Sequence, residues 1–233
     1  MSTMETTLTL HAHPLSSYCW KVLVPLYENG TPFRLELIEG PPKTHAAFTR
    51  MWPIGKMPVL EDRGRGQVLA ETSIIIEYLQ QHYPGAVTLL PTSAPAQLEA
   101  RLWDRFFDLY VHTPMQKLVS DRMRPEDQKD PAGAADARAT LDIAYAMLEQ
   151  RAAIRTWATG DEFSIADCSA IPALFYAKAV HPISESLCQL ASYFNRLMER
   201  PAVRRTVREA QPYFQYFPFH DALETRFTSP GIT

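Results

Sequence analysis

Cysteine is scarce in this chain. There are three in 233 residues, Cys19, Cys168 and Cys188, and they lie far apart. Scattered thiols in an odd number cannot build the disulfide framework of a small secreted scaffold, and they suit a reducing compartment. A cytoplasmic location is therefore expected. Long apolar runs are missing as well: no window approaches the roughly 18 uninterrupted apolar residues that a membrane-spanning helix needs. No membrane partner is expected. Met1 to Thr7 lacks a charged lead followed by an apolar stretch, so it does not read as a secretory signal. Positive charge is not in excess either. Lysine plus arginine number 23 against 26 aspartate plus glutamate, a formal net charge of −3, whereas nucleic acid calls for a clustered basic face. Arg204, Arg205 and Arg208 fall at helical spacing among apolar residues and read as a solvated helix face. Nucleic acid is excluded as the main partner, no metal ligand set stands out, and no internal repeat is found.

What is present suits a soluble protein with sizeable cores: 46% hydrophobic and 21% charged residues, over a length that fits two domains. The first 83 residues alternate strand and helix patterns. Leu8, Leu10 and Ala12 alternate with Thr9 and His11, a period of two that predicts a strand. Pro14 to Ser17 breaks it, and Val22, Leu23, Leu26 and Tyr27 follow at helical spacing up to Asn29-Gly30, where glycine suits a left-handed cap. Phe33, Leu35 and Leu37 then predict a second strand, completing a parallel βαβ unit. A short helix around Thr44 to Met51 comes next. Pro58 to Glu61 and Val68 to Ala70, joined by Asp62 to Gly66, predict a hairpin, and a helix runs from about Thr72 to Tyr83.

The order βαβ then ββα is that of the thioredoxin fold. Pro84-Gly85 and Leu90 to Pro95 punctuate the chain, so 84–95 reads as an interdomain linker. Beyond it strand signals vanish. Helical windows follow at about 96–123 (bent at Pro114), 132–151, 165–180, 184–199 and after Pro201. The fold class is thus α/β plus all-α: a thioredoxin-like domain over 1–84, then an all-helical bundle over 96–233. The aromatic stretch Pro212 to His220 is expected to fold back over the body.

Three constellations carry chemistry. Ser16-Ser17-Tyr18-Cys19 lies between the first strand and the first helix, where unpaired N–H groups and the helix dipole favour an anion. Thiol–disulfide enzymes keep C-x-x-C there. Here Ser16 replaces the leading cysteine, so disulfide exchange is excluded, but a hydroxyl can donate to another molecule's thiolate. A plain helix cap is the competing reading, and Cys19 reads as a packed structural thiol.

The second constellation is Gly55-Lys56-Met57-Pro58-Val59-Leu60. A cis bond before Pro58 would let Met57 present its backbone to a peptide-like ligand; base rates alone favour an ordinary trans proline. The third is Glu71-Thr72-Ser73 at a helix start, able to hold an amino-acid zwitterion or simply to cap the helix.

In this order along the chain, S-S-x-C-x-K-V, G-K-M-P-V-L and E-T-S-I-I-I-E-Y-L resemble the soluble glutathione transferases, of a serine-type, bacterial-like class. The resemblance covers nearly the whole chain. It implies that Ser16, five residues before Lys21, supplies the catalytic hydroxyl, with Ser17 as its alternative. It implies a cis bond at Pro58, glutathione backbone pairing at Met57, a γ-glutamyl site at Glu71 and Thr72, and a glycine-carboxylate contact at Lys56. Thr72 stands where the family has serine. Phe163-Ser164-Ile165-Ala166-Asp167 resembles the family's buried S/T-x-x-D box, a folding element. Glutathione as co-substrate, no metal and a homodimer are further implications.

The electrophile pocket is expected along the helix carrying Trp103, Phe107, Tyr110, Val111 and Met115, in a cleft between domains. The expected activity is conjugation of glutathione to a small hydrophobic electrophile. A zeta-like isomerase, suggested by the doubled serine, and a low-activity glutathione-binding scaffold are the alternatives.

Overall fold

A computed structural model describes residues 6–40 and 45–229. The chain divides into two compact units, Met1–Leu89 and Leu90–Thr233. The first is built on a four-stranded sheet. Strand β1 (Leu8–Ala12) pairs in parallel with β2 (Arg34–Leu37) and antiparallel with β3 (Val59–Asp62). Strand β3 pairs antiparallel with β4 (Gln67–Leu69), giving the order β2-β1-β3-β4. Helices α1 (Ser17–Glu28), α2 (Ala46–Met51) and α3 (Thr72–His82) complete the thioredoxin-like arrangement. The start expected for α2, Thr44, lies outside the described residues.

One face of the sheet makes the main core: Leu8, Leu10 and Ala12 of β1 pack with Val22, Leu23 and Leu26 of α1 and with Ile75 and Leu79 of α3. The polar residues that alternate with them in β1, Thr9 and His11, are also buried, at 3% and 8% exposure. Phe48 of α2 lies against that second face, its ring 6.3 Å from the His11 ring. A sheet covered on both faces buries polar as well as apolar positions.

Asp62 ends β3 with a buried carboxylate. It accepts hydrogen bonds from the hydroxyls of Tyr78 (2.7 Å) and Tyr83 (2.6 Å) and from the Arg65 N–H (3.2 Å), tying the hairpin to α3. Burial works to raise its pKa, but these donors outweigh it and hold the carboxyl below its ordinary value.

Residues 84–89 are fastened to the first unit. Asn29 bonds Val87 in both directions (2.8 and 3.1 Å), and the Leu89 N–H donates to Gln80 Oε1 at 2.7 Å. The first helix of the second unit, α4 (Ala94–Phe106), begins slightly before the expected 96, because Ser93 accepts the Ala96 N–H and Pro95 sits in the first turn.

A π-helical segment, Phe107–His112, joins α4 to α5 (Thr113–Arg122). The irregularity expected at Pro114 thus appears just ahead of it. Proline cannot donate to the carbonyl four residues back, and the helix widens there, with the Thr113 hydroxyl donating to the Asp108 carbonyl at 2.9 Å.

Next come α6 (Pro131–Ala152), α7 (Ile165–Val180), α8 (Cys188–Met198), α9 (Pro201–Ala210) and a short α10 (Thr225–Thr228). All of α7 except Lys178 is buried, so it forms the centre of this unit. Helix α8 starts at Cys188 rather than 184, where Glu149 accepts the N–H groups of Gln189 (3.1 Å) and Leu190 (2.7 Å). The aromatic tail packs inward: Phe214 stacks on Phe175 and Phe217 meets Tyr176 edge-on.

The Ser164 box is formed. Asp167 accepts from the Ser164 N–H (2.9 Å), the Ala158 N–H (2.8 Å) and the Tyr193 hydroxyl (2.7 Å) with no solvent exposure.

Candidate active site at one end of the sheet

Strand register gathers the three constellations. His11 of β1 pairs with Val59 of β3, and Leu60 of β3 pairs with Leu69 of β4. The chain leaving β1 toward Ser16, entering β3 through Met57-Pro58 and leaving β4 toward Glu71 therefore does so at one end of the sheet. Ligands collect at strand ends of this kind because the loops there are free of ladder constraints while the sheet holds them in place.

Ser16 is the N-cap of α1, with φ −73° and ψ 118°. Its N–H donates to the His13 carbonyl (3.0 Å), and its carbonyl accepts from Cys19 (2.9 Å) and Trp20 (3.2 Å). The Ser16 side chain makes no capping bond. It is half-buried, whereas Ser17 is buried at 5% exposure. The indole N–H of Trp20, fully buried, donates to the Pro14 carbonyl at 2.5 Å and pins the loop that carries Ser16. Burial pushes the Cys19 thiol up to about 11, against hydrogen bonds from the Ser16 side chain and the His13 backbone.

The Met57-Pro58 bond is cis. Met57 is half-buried, Pro58 is buried and Lys56 is exposed. Glu71 is exposed and adopts φ +66°, the positive-φ non-glycine residue among those described. Such a conformation costs about 1–3 kcal/mol in an ordinary residue. Its carbonyl accepts the Ile75 N–H at 2.9 Å, but its side chain does not cap α3. Thr72 opens that helix and is buried at 7% exposure.

Lys21, singled out in sequence only as a reference point for counting, holds the two helix starts together. Its ammonium is fully buried and donates to Ser73 Oγ at 3.0 Å, joining α1 to α3. A basic residue on the apolar face of α1 was the available signal.

Of the five pocket residues, Phe107, Val111 and Met115 are buried at 0–1% exposure, and Tyr110 is 51% exposed. Trp103 is half-buried beneath the Arg151 guanidinium, 4.0 Å above its ring. These five therefore divide between core and surface. Among the described residues no cluster of His, Cys, Asp or Glu is placed to hold a metal ion, and no helix is long and apolar enough to cross a membrane.

Comparison with known proteins agrees across both units. Residues 10–87 match the glutathione S-transferase N-terminal domain, and residues 131–205 match the C-terminal domain. Glutathione S-transferase GstB of Escherichia coli K12 is 27% identical over 204 residues, covering 86% of this chain and 97% of the relative. The glutathione S-transferase-like protein LUC7 of a Fusarium species is 32% identical over 165 residues, covering 68% and 72%. A glutathione S-transferase from Methylobacterium radiotolerans, solved with glutathione sulfonate, superposes with a TM-score of 0.74 at 26% identity, covering 85% of this chain and 93% of that one. The sheet order, the paired units and these matches together place the chain in the glutathione S-transferase family.

Proposed function

We propose that this protein is a serine-type glutathione transferase of bacterial-like class that stabilises the glutathione thiolate at Ser16 and conjugates it to a small hydrophobic electrophile. The observation that carries the reading is that the Ser16 hydroxyl stands half-exposed at the N-terminus of α1 and caps none of the helix's backbone N–H groups. A half-exposed hydroxyl beside the positive end of a helix dipole can donate to an approaching thiolate.

The Met57 backbone pairs with the cysteinyl segment of glutathione, Glu71 and Thr72 hold the γ-glutamyl end, and Lys56 reaches the glycine carboxylate. Residues 1–84 serve as the glutathione-binding domain and 96–233 supply the electrophile side, with Tyr110 as its exposed aromatic. The cytoplasmic location and homodimer implied by the family resemblance complete the reading. A mass near twice 26.5 kDa by sedimentation equilibrium is the expected assembly.

The experiment is retention on immobilised glutathione, followed by conjugation of a generic aryl halide by wild type and Ser16→Ala. Wild-type turnover that collapses in Ser16→Ala supports the proposal. Retention with no turnover of any electrophile in a panel would instead make this a glutathione-binding scaffold.

A further inference from the structure

Helix α1 is buried from Cys19 to Leu26, and Lys21 is the one charged residue in that run. Taking an ammonium out of water is costly unless polar groups meet it. Lys21 Nζ meets Ser73 Oγ at 3.0 Å, 52 positions away in the chain, and the side chain has no solvent exposure. Ser73 is the second residue of α3, next to Thr72 and two after Glu71. The backbone of that turn is unusual: Glu71 holds φ +66° and ψ 115°, which a side-chain-bearing residue keeps only where its surroundings fix it. The Glu71 side chain does not close the turn, since it makes no capping bond and stays exposed. Instead the Glu71 carbonyl accepts the Ile75 N–H at 2.9 Å, and Lys21 fastens Ser73 from below.

Given the proposed γ-glutamyl site at Glu71 and Thr72, we infer that Lys21 is a positioning residue: by holding Ser73 it keeps the Glu71–Thr72 turn in the shape that receives the γ-glutamyl end of glutathione. A binding turn that the protein already holds in place binds more tightly than a loose one, which the ligand must order. Thr72 is buried and Glu71 is exposed, so the turn has one anchored side chain and one that reaches outward. Lys21 also belongs to the helix that opens at Ser16, so its bond to Ser73 ties this turn to the element carrying the thiolate-stabilising hydroxyl. Lys21 acts through Ser73, and its effect is therefore expected in affinity rather than in the chemistry of the thiolate.

The test compares wild type with Ser73→Ala, Ser73→Thr, Lys21→Met and the double variant of Lys21→Met with Ser73→Ala, each checked for fold by circular dichroism. The readouts are the Kd for glutathione by calorimetry, and the KM for glutathione against kcat. Ser73→Ala removes the acceptor and keeps the ammonium. It is expected to raise Kd and KM about three- to tenfold, the worth of one hydrogen bond, with kcat at saturating glutathione within about twofold of wild type. Ser73→Thr keeps the hydroxyl and should bind as wild type does. Glu77, four residues on, shares the Ser73 face of α3, so Lys21→Met also takes the positive charge away from that face and should weaken binding more. In the double variant the Ser73 change should then add nothing, because the pair acts through one bond. If Lys21→Met does not fold, the two Ser73 variants decide. A wild-type Kd in Ser73→Ala, a loss that Ser73→Thr does not rescue, a fall in kcat in place of affinity, or effects that multiply in the double variant overturn the inference. Glu71→Ala separates the two levels. If it weakens binding while Ser73→Ala does not, only the role of Lys21 fails; if Glu71→Ala binds as wild type does, the γ-glutamyl site fails with it.

Discussion

Ser16 and Ser17 are neighbours in sequence but not in environment. One is half-exposed at the N-cap, and the other is buried as the first residue of α1. Ser16→Ala is therefore expected to cut conjugation about a hundredfold, the usual cost of removing one donor aimed at a developing or resident anion. Glutathione affinity should change little. Ser17→Ala should act mainly on stability, and urea unfolding beside steady-state kinetics separates the two; a large kinetic defect confined to Ser17→Ala would move the catalytic role by one residue.

Glu71 supports a second test at this scale because its backbone and side chain can be varied separately. Glycine occupies φ +66° without a side-chain clash. Glu71→Gly should thus be about 1 kcal/mol more stable than Glu71→Ala in urea unfolding. Both should bind glutathione roughly ten- to a hundredfold more weakly by calorimetry, since both lose the same charged partner. Wild-type affinity in either variant would remove Glu71 from the glutathione site.

Among elements, the hairpin and α3 are coupled through Asp62. Its folded pKa lies below the ordinary carboxylate value, so it binds protons more weakly in the native state than in the unfolded one. Its contribution to stability is then fully present above the ordinary carboxylate range and is lost as pH falls through the lower, folded value. Melting temperature measured from neutral pH into acid should drop more steeply for wild type than for Asp62→Asn, which has no carboxylate to protonate. Parallel curves would mean that Asp62 does not govern the acid limb.

Helix α7 depends on Asp167 in a different way. Asp167→Ala strands the N–H groups of Ser164 and Ala158 and the Tyr193 hydroxyl in a dry interior. A loss of about 3 kcal/mol or more is expected in chemical denaturation, above the usual 1–2 kcal/mol of an exposed cap.

For the molecule as a whole, the proposed function predicts that glutathione raises global stability. A ligand that binds only the native state adds about 2.7 kcal/mol when present at 100 times its dissociation constant. Thermal unfolding with and without glutathione should show that gain in wild type, and Glu71→Ala should show little of it at the same concentration.

Much of this architecture was legible in the linear chain. The period of two in β1, the helical spacing of α1 and the Gly55 to Leu60 segment report local backbone preference and side-chain patterning, which act between near neighbours. The Ser164 box was legible for the same reason, since cap and N3 residue are three apart. Sequence alone could not show that Thr9 and His11 are buried, because that depends on α2 lying over the second face of the sheet. Nor could it separate Ser16 from Ser17, whose difference is one of exposure. The buried Lys21 bridge to Ser73 spans 52 positions, and the three strand ends meet only through register between β1, β3 and β4. The sequence by itself determined which residues have the chemistry to hold a thiol peptide. Tertiary structure decided which of them stand together and which hydroxyl stays half-exposed, because exposure and long-range pairing are set by packing between segments and not by any one of them.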